Sequence, residues 1–175
     1  MVAIGSARGA RGFTIIELMM VVAIVGVLSV LALPAMKDLV TGNRMKTLSL
    51  DLYTSLALAR SEAIKRNANT VSMIAKSGDW KNGWQVCVDS NSDGSCTGEV
   101  VIMEGEAVDA SLTLEGPGGN IVNYNRNGRV TTAAMFKIRA GVDKVNPPMR
   151  CVDVNASGRP STRVDTNHTD SDDCN

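Results

Sequence analysis

The sequence predicts an α+β chain: a long N-terminal helix with a membrane-embedded first half, packed on a C-terminal body built on an antiparallel β-sheet. Three observations predict it. An apolar run spans residues 13–33 and carries one charge, Glu17. A second stretch, 45–63, places apolar residues at steps of three and four. After Asn69 the chain breaks into short β-prone runs divided by Gly, Asn and Pro.

The apolar run is long enough to cross a bilayer, which takes about 20 residues as a helix. Residues 1–12 before it carry Arg8 and Arg11 and no acid. Positive charge on that side keeps the N-terminus cytoplasmic and sends the body across the inner membrane. An ordinary signal peptide has a shorter apolar core and a small-residue cleavage site, and Glu17 does not belong in one. A carboxylate at membrane depth is costly and marks function. Pro34 lacks an N–H donor, so it is expected to end or kink the helix. The helical pattern resumes past Thr41-Gly42. There Met45, Leu48, Leu52, Leu56, Ala59 and Ala63 form one stripe opposite Arg44, Lys46, Asp51, Glu62, Lys65 and Arg66. The organisation that follows is 1–12 as a leader, 13–34 as the membrane helix, 35–69 as its amphipathic continuation and 70–175 as the β-rich body.

In the body, strands are expected at 71–75, 84–89, 100–104, 112–114, 121–124, 136–140 and 151–154. Turn-formers fall at 77–78, 91–94, 116–120 and 147–148, and Asn127-Gly128 between Tyr124 and Val130 signals a hairpin. No internal repeat is visible, and the tail 165–175 is polar. Aromatic residues make up only 3% of the chain, so the core rests on Val, Ile, Leu, Met and Ala and needs outside support. Four cysteines, Cys87, Cys96, Cys151 and Cys174, supply it as disulfides, which places the body in an oxidising compartment. Four cysteines allow three pairings. The local choice, Cys87–Cys96 and Cys151–Cys174, closes one turn and one tail.

Chemistry of other kinds has little to stand on. Balanced charge, with Lys+Arg 18 and Asp+Glu 18, argues against a general affinity for nucleic acid. Asp89-x-Asn91-x-Asp93-Gly94 resembles the start of a calcium loop, but the twelfth position holds Val100 where a bidentate Glu is required. The residues read better as a turn whose side chains bond their own backbone. His168 is the only histidine, and neither a zinc ligand set nor a nucleophile–base set can be assembled. The sequence therefore predicts no catalytic residue, no metal and no cofactor. One stretch is basic: between Arg126 and Arg163 the chain has Arg126, Arg129, Lys137, Arg139, Lys144, Arg150, Arg159 and Arg163 against Asp143 and Asp153. It is read either as a charged, solvated sheet edge or as a phosphate-binding face.

Gly12-Phe13-Thr14-Ile15-Ile16-Glu17-Leu18 resembles the type IV prepilin signature. The resemblance implies cleavage after Gly12 by a prepilin peptidase and N-methylation of Phe13. Glu17 then lies one helical turn after the new amino terminus, placed to neutralise the terminus of a neighbouring subunit where charges are poorly screened. Ala59-Arg60-Ser61-Glu62-Ala63, the Trp80–Val86 stretch with its Gly83-Trp84 pair, and the acidic turn from Asp89 are similar to the FimT/GspH group of minor pilins and type II secretion pseudopilins. That group implies a non-enzymatic subunit that primes or caps a type IV pilus or a secretion pseudopilus. The implied partners are other pilins or pseudopilins, the peptidase and the inner membrane. The alternative the group offers is DNA uptake, with Arg159 and Arg163 central and Arg126, Arg129 and Arg150 in support. Gly158-Arg159-Pro160 resembles the group's terminal strand, although Arg163 lies further along than in its compact DNA-binding pattern.

Overall fold

A computed structural model describes residues 12–67, 70–141, 147–165 and Cys174, apart from the side chains of 31–35. The leader through Arg11, Lys144, His168 and most of the tail lie outside the described residues. The chain divides into two compact units, Met1–Lys37 and Asp38–Asn175.

Helix α1 runs from Ile15 to Arg66, 52 residues without a break. The expected stop at Pro34 and restart past Gly42 are not found. A proline removes one N–H donor, and the surrounding Leu, Ala, Met and Lys are helix formers that carry the helix past it. From Phe13 at 88% to Val30 at 69%, every described large apolar side chain of the first unit is exposed. In the second unit the helix is one-sided: Met45, Leu48, Leu52, Leu56, Ala59 and Ala63 are all buried. Full burial of a Leu contributes about 1.5–3 kcal/mol. The helix closes with Lys65 and Arg66 in its last turn, both donating to Glu62. Cations there also meet the negative end of the helix dipole.

The body holds two four-stranded antiparallel sheets where the sequence suggested one. The strands are β1 (Val71–Ala75), β2 (Trp84–Val88), β3 (Val100–Glu104), β4 (Thr113–Glu115), β5 (Ile121–Tyr124), β6 (Ala134–Arg139), β7 (Arg150–Val154) and β8 (Pro160–Val164). The first sheet has order β3-β2-β1-β5 and the second β4-β6-β7-β8. Burial alternates strictly along β6, as a strand with one face on the core requires. The Asn127-Gly128 turn closes a single bridge, Tyr124 to Val130, because the strands on either side belong to different sheets. Strand β8 carries no strand signal of its own and was marked only by the resemblance at Gly158-Arg159-Pro160: Pro160 opens it and four of its five residues are exposed, as suits an edge strand. One core joins helix and both sheets, with Trp80 meeting Phe136 edge-to-face at 4.8 Å.

The structure also shows a repeat that the sequence reading missed. Residues 122–130, VNYNRNGRV, and 152–160, VDVNASGRP, follow the same alternation of buried and exposed positions throughout. In each, an Asn side-chain oxygen (Asn125, Asn155) accepts the backbone N–H groups two and four residues on. In each, a glycine at positive φ, +68° for Gly128 and +78° for Gly158, precedes an exposed arginine. The turns pack on each other: a Cβ on Gly158 would strike the Gly128 carbonyl.

Candidate functional site

At the helix start Thr14 and Glu17 cap each other. The Glu17 N–H donates to Thr14 Oγ1 at 3.3 Å, and the Thr14 N–H donates to a Glu17 carboxylate oxygen at 3.2 Å. This is the Thr-x-x-Glu capping box, whose reciprocal bonds satisfy two otherwise orphaned donors. The Thr-x-x-Glu spacing at 14–17 is the signal for this cap in the sequence. Glu17 therefore holds its own helix start and sits among exposed apolar neighbours, Phe13, Ile15, Ile16 and Leu18. Among the described residues no helix is long and apolar enough to cross a membrane. The apolar run continues into 31–35, whose side chains are not described.

The structure pairs Cys87 with Cys96 and Cys151 with Cys174. The first bond closes the acidic turn, which Asp89 organises. Asp89 is 1% exposed, and its two oxygens accept from the Asp93 and Gly94 N–H groups and the Ser72 hydroxyl. Its carboxylate is thus engaged by the turn's own backbone, and Glu99 accepts the Ser90 hydroxyl. Among the described residues no group of His, Cys, Asp or Glu could hold a metal ion. The second bond, with Met149, makes a small separate core at the tail.

The basic residues do not form one face. Arg129 and Arg159 are exposed at the tips of the two stacked turns. Beneath them Arg60 of α1 donates to the Gly128 carbonyl at 3.1 Å. Arg163 is bound to Asp153 at 3.2 Å and Arg139 to Glu115 at 2.8 Å. Arg150 lies half-buried on β7, opposite Val164. Arg126 shares the first turn with Arg129. The twin turns thus bring Arg129 and Arg159 together and leave Arg150 and Arg163 on the sheet.

A groove that the sequence did not disclose lies between α1 and the segment after β3. It encloses about 630 Å³, with Leu48, Trp84, Met103 and Leu112 among its apolar residues. Gly105 is required there, since a Cβ would strike the Trp84 indole, whose N–H donates to Ser55 Oγ at 2.9 Å. Arg44 spans the walls to Asp109 at 3.0 Å. Hydrogen bonds from Ser111, then the Arg44 charge, hold the Asp109 carboxyl below its ordinary range. Partial burial, then repulsion from Glu106, pushes Asp51 up.

A long helix with an exposed apolar first part and a one-sided second part, carrying a two-sheet disulfide-bonded body, defines a prepilin-like filament subunit. The prokaryotic N-terminal methylation motif matches residues 7–33, and the model of type II transport protein GspH matches residues 49–158. The chain belongs to the GspH family: it is a type IV prepilin-like minor pilin or pseudopilin, a structural and non-enzymatic subunit. The motif implies anchoring in the inner membrane, incorporation into a filament, and contact with other pilins and a prepilin peptidase. In fold the chain is similar to type IV minor pilin FimU of Pseudomonas aeruginosa in two crystal forms. One has 21% identity and TM-score 0.58, covering 68% of this chain and 87% of that one. The other has 20% identity and TM-score 0.56, covering 67% and 91%. No curated protein matches the chain in sequence.

Proposed function

We propose that this subunit primes or caps assembly of a type IV pilus or type II secretion pseudopilus. It inserts once through the inner membrane, N-terminus cytoplasmic and body periplasmic. It has a leader at 1–12, a membrane and filament-core segment at 13–34, an amphipathic segment at 35–69 and a body at 70–175. Cleavage after Gly12 frees the Phe13 amine for methylation. The observation that carries the reading is the pairing of a fully exposed apolar helix surface with a single carboxylate, Glu17, at its start. Such a surface needs lipid or neighbouring helices to cover it. Moved from lipid into a bundle of helices, Glu17 meets the terminal amine of a neighbour, an attraction strengthened by the low dielectric.

The test separates charge from capping. Glu17→Gln keeps a side chain that can cap and removes the charge, whereas Glu17→Ala removes both. Recovery of the chain in sheared filaments should fall for both variants, with membrane retention kept. Wild-type recovery of Glu17→Gln would refute the neutralising role.

A second reading, DNA uptake, is favoured by the exposed pair Arg129 and Arg159. Arginine forks bind phosphate oxygens in pairs, and such binding falls steeply with salt. Titration of labelled duplex DNA with the full chain tests it; no binding at low salt removes it.

A further inference from the structure

We infer that the acidic groove beside α1 is the seat for the arginine-bearing twin turns of a second copy of this chain. The inference rests on the filament reading and names a contact within it. The groove wall comes from one face of the helix, Val40, Arg44, Thr47 and Asp51, facing Glu104, Glu106 and Asp109. Arg44 is taken by Asp109, and Glu104 by Lys76 at 2.9 Å. Asp51 and Glu106 remain, close enough to repel, and neither forms an ion pair among the described residues. The groove therefore carries uncompensated negative charge above an apolar floor of Leu48 and Trp84. An arginine fits both halves: its methylene stem covers apolar surface and its head takes carboxylates in pairs.

The same chain presents that group. Arg129 and Arg159 project from the stacked turns, exposed, on rigid Asn-anchored loops that lose little freedom on docking. The turns sit on the helix at Arg60, and the groove is centred near Thr47. At 1.5 Å per residue the two lie about 20 Å apart along the axis. Two different, complementary patches offset along one axis pair either reciprocally, as a two-fold dimer, or head to tail, as a ring or open helix.

The test is sedimentation of the full chain in detergent at low salt and at about 1 M salt, where screening shortens to roughly 3 Å. One variant reverses the groove (Asp51→Lys with Glu106→Lys), the other the turns (Arg129→Glu with Arg159→Glu). Wild type should self-associate at low salt and dissociate at high salt. Each variant alone should associate on the order of tenfold more weakly. Mixing the two restores complementarity in both directions and should restore association, which also shows that both variants are folded. Failure of the mixture, or unchanged association after turn reversal, overturns the proposal. So does a turn reversal that abolishes binding to labelled duplex DNA and leaves self-association intact, which assigns the arginines to DNA. A wild-type chain that enters filaments yet sediments as a monomer at low salt overturns this contact and leaves the filament reading standing.

Discussion

The two parts of α1 share one backbone and meet opposite demands. From Phe13 to Val30 the large apolar side chains are exposed on every side of the helix. From Met45 to Ala63 one stripe of apolar residues is buried, while Leu50 and Tyr53 lie off that stripe and are exposed. A helix apolar all round must be covered by something outside its own chain, whereas an amphipathic one is covered by its own domain. The first part thus needs cover from outside its own chain, and the second is a structural spine.

The largest effect that sharpens this contrast is truncation of the stripe. Leu52→Ala or Leu56→Ala should cost about 2–5 kcal/mol by urea unfolding, because each empties a fully buried site. Leu28→Ala, in the exposed run, should leave body stability unchanged and weaken membrane retention. Equal loss of body stability for both kinds of variant would break the distinction.

Next is the Cys87–Cys96 bond. Replacing both with Ser should lower unfolding stability by about 2–4 kcal/mol while leaving membrane retention alone. The effect belongs to the body, where so few aromatics leave a light core.

Smaller again is the helix cap. Thr14→Ala removes the hydroxyl that accepts the Glu17 N–H. It should cost about 1 kcal/mol of local helix stability. The change should appear as faster amide exchange in the first turn, with exchange in the stripe unaltered.

The smallest is a pH effect at the far end of the helix. Hydrogen bonds from Arg66, then Lys65, hold the Glu62 carboxyl below its ordinary value of 4.5. A lowered folded value means the contribution is complete above pH 4.5 and fades as pH falls through the lowered value. Glu62→Gln should flatten the acid limb of the body's stability curve there; an unchanged limb would show the ion pair contributes nothing.

Legibility followed the strength of local signals. The stripe on α1 and strands such as β1, β3 and β5 were readable because hydrophobic period and turn residues agree there. Pro34 misled, since a single missing donor does not stop a helix whose neighbours favour it. Strand β8 was hidden from the hydrophobic pattern, and visible only through the resemblance at Gly158-Arg159-Pro160, because an exposed edge strand opened by proline shows no alternation. The second sheet was hidden because strand partners are set by packing, and Tyr124–Val130 reads as a hairpin whichever sheets its flanks join. The groove was invisible for the same reason: Asp51 and Glu106 are far apart in sequence and meet only through the fold. The twin turns share only Val, Asn, Gly and Arg at matching offsets, a repeat that becomes evident once both glycines prove left-handed and in contact.

The processing proposed above makes residues from Phe13 onward the working face of the filament subunit. Mass spectrometry of the mature N-terminus tests it most directly. The mature chain should begin with N-methyl-phenylalanine at Phe13. A mature chain beginning near Ala35, with the apolar run removed, would contradict it.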